Sequence, residues 1–350
     1  MRVTLKDIAR EVGLSVTAVS RALNGHKDVS EATRARVLEA ARRLNYYPNS
    51  IARGLVTQRS GTVGLFSVSF TQSYSIMSDP FAAELVDAIL ERFGETGYDV
   101  LWFSRSRIEK ADSYVALAVQ RQIDAAIFLG LRTDDHRFAE LRTIGIPLVT
   151  VDVPIDVENA VCVGCDQVMG AYAAVSHLIE MGHRRIAYIS GHWHAPVSHE
   201  RREGYMKAMA EAGCPVRDEW IVEGDFSRAS GKRSMERLLA LDPRPTAVFC
   251  ASDLMALGAM DAVRAHGLRV PDDVSIIGFD DIREAAEAQP PLTTVHQPRH
   301  LLGKAVADTV IEALREGGSW KGKGRILLEP KLVRRATVAP VRDGGASAAG

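Results

Sequence analysis

The sequence predicts a small all-α headpiece followed by an α/β core of two doubly wound parallel-sheet lobes. Three observations carry this prediction. Residues 1–60 hold 11 Lys+Arg against 5 Asp+Glu while the remaining 290 hold 32 against 39, so a basic module precedes an acidic body although the net charge is only -1. Short capped segments with apolar residues at helical spacing fill the basic module. From Gly61 onward, near-continuous apolar runs alternate with helical patterns, as in parallel strands covered on both faces.

Composition sets the bounds. The 350 residues, 46% hydrophobic and 25% charged, suffice for two or three compact domains. No apolar run reaches the roughly 20 residues that span a bilayer, and "MRVTLKDIAREVG" is charged where a signal peptide would be apolar, so a cytoplasmic protein is expected. Cys162, Cys165, Cys214 and Cys250 are too few and too scattered for a disulfide framework. The lone C-x-x-C in "AVCVGC" lacks the second pair of a zinc site and reads as reduced, buried thiols.

The first helix is "TLKDIAREVG". Thr4 and Asp7 stand at capping-box spacing, Leu5, Ile8, Ala9 and Val12 share one face, and Gly13 supplies a left-handed end. "LSVTAVSRALNG" restarts at once, with Ser15 as N-cap, Val19, Ala22 and Leu23 as the apolar face, and Asn24-Gly25 as the stop. Two helices joined by a turn containing Gly13 make a helix-turn-helix. "SEATRARVLEAARRLNYYP" adds a third, capped by Ser30, turning Val37, Ala40, Ala41 and Leu44 inward and halted before Pro48.

In such a unit the second helix enters the major groove with its N-terminal residues on base edges. The candidates are Val16, Thr17, Ser20 and Arg21. Arg21 can fork onto guanine O6 and N7, Thr17 can bond a base or phosphate, and Val16 can meet a thymine methyl. Thr4, Ser15 and Asn24 at the helix ends complete the expected DNA-contact set. Next comes "NSIARGLVTQRSG", whose Ile51, Ala52 and Leu55 have the spacing of about two helical turns, with Gly54 inside. A helix below roughly 12–15 residues is marginal alone, so this one needs a partner.

Beyond Gly61 the strand-like runs are "TVGLFSVSF", "YDVLWF", "DAAIFLG", "PLVTVD", "NAVCVG", "RIAYIS", "WIVEGDF", "TAVFCAS" and "VSIIGFD". Helical patterns fall at 82–93, 111–122, 134–144, 167–181, 200–212, 229–241 and 253–266. That is too many strands for one sheet, and two sheets splitting near Val163–Asp166 are expected. Ligands in such folds bind at the carboxyl ends of strands, which points to Asp152, Ser252, Asp253 and Asp280, with Arg201 opening the helix after the loop "SGHWHAPVSHE" and Phe226 following "WIVEGD". The bland alternatives are that Asp253 and Asp281 cap the following helix or turn and that Phe226 is core. "GHWHAPVSH" holds His192, His194 and His199 but no fourth zinc ligand, and reads as a polar loop beside the cleft. "GTVG" lacks dinucleotide-binding spacing, no phosphate-binding loop occurs, and no nucleophile with a base suggests itself, so neither an enzyme nor a cofactor or metal is expected.

"VTLKDIAREVGLSVTAVSRALNG", "VSEATRARVLEAARRLNYYPNSIARGL" and "SGTVGLF" closely resemble the lac repressor family of bacterial transcription regulators, and the resemblance runs from Val3 to about Val338. It implies a helix-turn-helix headpiece at 1–48, a hinge helix and linker at 49–60, and a periplasmic-binding-protein-like core at 61–340, ahead of a disordered tail at 341–350. The first lobe would take about 61–163 plus 298–325 and the second about 164–293 plus 326–340, with later crossings near Thr293–Pro298 and Gly324–Leu327. It also implies that Leu55 wedges into the minor groove with Ala52 and Arg53 beside it. By position, the family's effector contacts fall on Phe81, Asp152, Arg201, Phe226, Ser252 and Asp280. The function so implied is a homodimeric repressor of operator DNA controlled by a small molecule. A sugar or sugar derivative suits the hydroxyl-friendly set; a purine is the alternative, because Phe81 and Phe226 could sandwich a flat ring. A sensor without DNA function is a third reading, set against the intact helix-turn-helix. The tail has no leucine heptads, so a tail-made tetramer is not expected.

Overall fold

The computed structural model describes residues 3–26, 28–47, 59–68, 79–317, 320–322 and 324–341. Ala52, Arg53 and Leu55, and the tail beyond Val341, lie outside the described residues. The chain forms two compact units, Met1–Ser60 and Gly61–Gly350. No helix among the described residues is long and apolar enough to cross a membrane.

The first unit consists of α1 (Leu5–Val12), α2 (Val16–Leu23) and α3 (Glu31–Arg43). Local chemistry sets the ends. Asp7 Oδ2 accepts from the Thr4 N–H at 2.9 Å, and Gly13 takes a left-handed φ of 68° that a side chain would resist. Ser15 Oγ accepts from Ala18 N at 3.1 Å and Ser30 Oγ from Thr33 N at 3.2 Å. Ile8, Val19 and Val37 are fully buried among Ala9, Ala22, Ala40 and Ala41. Part of the basic excess is structural. Arg36 donates to Val12 O (2.9 Å) at the carbonyl end of α1, Arg34 donates to His26 O (2.7 Å), and Arg43 pairs with Glu11.

The second unit begins with β1 (Thr62–Ser67), β2 (Asp99–Phe103), β3 (Ala125–Leu129), β4 (Leu148–Val151) and β5 (Ala160–Cys165). Together with β11 (Gly324–Leu328) they form a parallel sheet in the order β11-β5-β4-β3-β1-β2. This is a doubly wound order with its switch point between β1 and β3. Alternation along β1 serves two cores. Val63 and Leu65 join the helices Pro80–Gly94 and Arg299–Glu316, while Phe66 stacks between Phe103 and Phe128 at 4.2 and 4.5 Å. The second lobe holds β6 (Ile186–Ser190), β7 (Ile221–Glu223), β8 (Ala247–Cys250) and β9 (Ser275–Ile277), parallel in the order β7-β6-β8-β9. Tyr188, Tyr205, Trp220 and Phe249 are buried in its core. A small antiparallel pair, β10 (Thr294–His296) with β12 (Lys331–Val333), has no counterpart among the expected strands.

Several expectations need correction. The helix expected at 134–144 is a 3-10 segment, Phe138–Thr143. The one expected at 111–122 is only Tyr114–Gln120, because Ser113 caps its start and Gln122, with φ of 51°, ends it. The one expected at 200–212 begins at Pro196, whose ring presets φ for a first helical position. The third crossing between lobes falls after Leu328, not within Gly324–Leu327, because β11 pairs with Val161–Cys165 along its whole length. The same pairing carries the first lobe through Cys165, inside the split expected near Val163–Asp166.

The headpiece core is small, so it tolerates little loss. Ile8→Ala should cost about 2–4 kcal/mol. Limited proteolysis should then open residues 1–47 while the melting of the larger unit stays unchanged; equal resistance of the two proteins would contradict this packing.

Candidate functional site

Two surfaces gather the expected residues. On α2, Val16, Thr17 and Arg21 are exposed and Ser20 is half-buried, opposite the buried Val19 and Ala22. Ser15 Oγ is taken up by its cap, and Ser20 Oγ accepts from Asn24 Nδ2 at 3.4 Å. Thr4 is exposed, its hydroxyl donating to Asp7 at 2.7 Å. Arg21 lies 2.5 Å from Asp28, and that hydrogen bond holds the Asp28 carboxyl below its ordinary range. Both partners are about half exposed, so the pair is weak and exchangeable for another anion.

The second surface is a cleft in the larger unit, at the carboxyl ends of strands from both lobes. Phe81, Asp152, Arg201, Phe226, Ser252 and Asp280 line it together, with Asp79, Val197 and Leu254; it encloses about 480 Å³, open solvent at its mouth included. Asp152 follows β4, Ser252 follows β8 and Asp280 follows β9. Phe81 sits in the first turn of the helix Pro80–Gly94 and packs against the cores of both lobes. Three of these residues have left-handed backbones: Asp152 at φ 59°, Phe226 at 66° and Asp280 at 124°. Such strain in non-glycine residues persists only where the surroundings enforce it, and it clusters at functional sites. Here Asp152 N donates to Val163 O (3.1 Å) and Asp280 N to Val295 O (2.8 Å), pinning both turns.

A chain of side-chain hydrogen bonds orients the polar groups. Gln167, at the start of the helix Gln167–Glu180, donates to Asp152 Oδ1 and Gln297 Oε1, both at 3.2 Å, and accepts from Arg201 Nε at 2.8 Å. Gln297 in turn donates to Asp280 Oδ1 at 2.8 Å. The buried Arg201 also donates to Ala251 O, lies over the Phe279 ring at 3.9 Å, and reaches Asp280 at 4.0 Å. Burial pushes Asp152 up to about 6 and raises Asp79 and Asp280, in each case against the pull of Arg201.

Asp253 and Asp281 serve the fold, as the bland readings expected, but not as caps of the helix or turn that follows them: their partners lie 15 to 54 residues away. Asp253 is fully buried and accepts from Ile282 N (2.9 Å) and Thr294 Oγ1 (2.5 Å). Asp281 accepts from Arg335 (2.6 Å) and His296 (2.9 Å). Ser252 does both jobs, capping through Met255 N at 3.2 Å and lining the cleft. The three histidines of "GHWHAPVSH" diverge. His192, pushed down to about 4 by burial, sets its ring edge-on to Phe226 at 5.5 Å, His194 Nε2 lies 3.7 Å from Asp134, and His199 meets Trp193 O at 2.7 Å. Burial pushes the Cys162 and Cys165 thiols up to about 12, so neither is a ready nucleophile. Sequence reasoning missed Asp79, Val197 and Leu254. Asp79 had a signal, an N-cap residue before a proline in "DPF"; the two apolar residues had none.

Both units match known proteins. Residues 4–49 match the family described as bacterial regulatory proteins, lacI family, and residues 175–338 match the periplasmic binding protein-like domain. The chain is 35% identical over 347 residues to the HTH-type transcriptional repressor PurR of Yersinia pestis (strain Pestoides F), covering 97% of this chain and 98% of that one. Among solved structures it is similar to a lac repressor dimer bound to operator and the anti-inducer ONPF, with TM-score 0.80, 29% identity and coverage of 97% and 100%. It is likewise similar to a complex of the transcriptional regulator CelR with cellobiose, with TM-score 0.73, 34% identity and coverage of 96% and 100%.

The raised Asp152 gives a test. The folded chain holds its proton up to about pH 6, the unfolded chain only to about 4, so this group's stabilising contribution is lost as pH rises through 6. His192 works in the opposite sense, losing stability as pH falls below 6.5, so the trend is best read as a difference between proteins. Tm of Asp152→Asn minus Tm of the unaltered chain should be larger at pH 8 than at pH 5, by about 2–6 °C. A difference independent of pH would show that the Asp152 carboxyl is not desolvated.

Proposed function

The chain belongs to the lacI family of bacterial regulatory proteins and is a DNA-binding transcriptional repressor rather than an enzyme, and from that premise we propose that it acts as a homodimer, reads its operator through α2, and is controlled by a small molecule held in the cleft between the core lobes. The observation that carries the effector reading is the convergence of Phe81, Asp152, Arg201, Phe226, Ser252 and Asp280 on one cleft.

The roles follow from chemistry. Arg21 would exchange Asp28 for a guanine edge, Thr17 and Ser20 would bond bases or phosphates, and Val16 would pack on a thymine methyl. Two half-sites need two recognition helices, which is why a dimer is proposed. In the cleft, carboxylates and a guanidinium suit hydroxyl groups, and Phe226 offers a face for a sugar ring; a sugar or sugar derivative is therefore the leading effector. A purine is the second reading, favoured by the presence of two aromatic residues, Phe81 and Phe226, on the same cleft. The ligand would act by its different affinity for two lobe arrangements, which in turn decide whether the segment around Ala52, Arg53 and Leu55 can order against the minor groove.

Gel shifts with DNA from upstream of the protein's own gene test the whole scheme. Specific binding at moderate salt that changes with ligand is expected; no specific binding with or without sugars and purines would overturn it. Leu55→Ala should weaken operator binding at least about tenfold and leave effector affinity nearly intact. Arg201→Ala should do the reverse, abolishing the response to ligand while basal operator binding persists. Equal loss of both properties in either variant would contradict the division of labour.

A further inference from the structure

The charged groups around the cleft are unevenly supplied, and this bears on what can enter it. Among the described residues three carboxyls line it, Asp79 and Asp152 from the first lobe and Asp280 from the second, against one guanidinium, Arg201. Arg201 already serves Gln167 and Ala251 O. The neighbouring arginines are engaged elsewhere. Arg299 donates to Asp280 O (2.5 Å), Asp281 O (2.9 Å) and Glu84 (2.7 Å), Arg325 pairs with Glu200 at 2.7 Å, and Arg132 pairs with Asp134 at 2.7 Å.

Two of the helix N-termini that open on the cleft are engaged too, whereas the helix Pro196–Glu211, whose Val197 lines it, starts at Ala195 without a side-chain cap. An anion could normally dock on the first amides of such helices. At the two engaged ends Asp79 Oδ1 accepts from Phe81 N (3.0 Å) and Ala82 N (3.4 Å), and Ser252 Oγ accepts from Met255 N (3.2 Å). Asp79 thus puts a negative charge where an anionic ligand would seek a positive pole. Each carboxylate also turns the same oxygen to the protein: Oδ1 of Asp79 to those amides, Oδ1 of Asp152 to Gln167 and Cys165 N, Oδ1 of Asp280 to Gln297. Among the described residues none donates a hydrogen bond to any of the three Oδ2 atoms, which leaves them to a ligand's donors.

Resting on the effector reading above, we propose that the cleft selects an uncharged or cationic ligand rich in hydrogen-bond donors and rejects anionic ones, and that Asp79 is a specificity-determining residue. A ligand whose O–H or N–H groups bridge Asp79 and Asp280 would relieve the meeting of like charges from opposite lobes. A phosphate or carboxylate in the same place would bring further negative charge to this cluster of buried carboxyls, and among the described residues the arginines beside the cleft are already bonded to the protein. Phosphorylated sugars and nucleotides are therefore excluded, although both contain the rings that Phe81 and Phe226 could stack against.

The test uses the full chain and matched probes: glucose, ribose, cellobiose and guanosine, each beside its monophosphate, with glucosamine as the cationic probe. Thermal shift locates binders and calorimetry gives Kd. The unphosphorylated or cationic member should bind at least about tenfold more tightly than its phosphorylated partner. Asp79→Asn, which keeps a competent N-cap and so should fold, should narrow that ratio several-fold. A phosphorylated probe binding as well as its partner would overturn the inference and leave the effector reading standing. An unchanged ratio in Asp79→Asn would remove Asp79 from the specificity set. A screen in which no probe of either kind raises Tm would overturn the effector reading itself.

Discussion

The polar network that joins Asp152, Arg201 and Asp280 in the cleft depends on the amide of Gln167. Its two N–H groups go to Asp152, at the end of a first-lobe strand, and to Gln297, near a crossing between lobes, and its oxygen accepts from Arg201 of the second lobe. One buried side chain thereby sets the orientation of a carboxylate, a second amide and a guanidinium, and through Gln297 it sets Asp280 as well. Polar groups in a low-dielectric interior are stabilising as a complete network and costly as a partial one. The site is therefore organised before any ligand arrives, and any movement of the lobes must preserve or replace these bonds.

Backbone strain is the counterpart of that network. Asp152, Phe226 and Asp280 all adopt left-handed conformations, each costing on the order of 1–3 kcal/mol for a side-chain-bearing residue. The surrounding strands hold them there, and the result is a set of side chains aimed into the cleft rather than along the sheet. Asp253 illustrates the division of labour: it is buried one residue from Ser252, yet it bonds Ile282 N and Thr294 Oγ1 and so holds the turn that presents Asp280.

The headpiece obeys different physics. Among the described residues, seven buried side chains and a set of caps hold three short helices, and several arginines that contribute to its basic charge are spent on its own carbonyls and on Glu11. Its exposed face carries Val16, Thr17 and Arg21, the last held by the half-exposed pair with Asp28. The larger unit has cores on both sides of a six-stranded sheet and a separate core around the second sheet, so it can hold a strained polar cleft that the small unit could not.

Local rules made the headpiece legible by itself. Caps at Ser15 and Ser30, the Asp7 bond to Thr4, the left-handed Gly13 and the inward residues of all three helices are relations over three or four positions, short enough to be written in the sequence. The alternation of apolar strands with helices announced two parallel sheets for the same reason. Strand-end position marked Asp152, Ser252 and Asp280, but position alone could not separate them from Asp253 and Asp281, which carry the same chemistry and turned out to serve the fold. Only tertiary structure made that separation, because it depends on partners 15 to 54 residues away, such as Thr294, His296 and Arg335. The same holds for Asp79, whose cap is local but whose place across the cleft from Asp280 is not, and for β11, whose last residue is set by pairing with Cys165. Periodicity and capping act within a turn or a strand; which side chains meet is decided by contacts the chain makes only after it has folded.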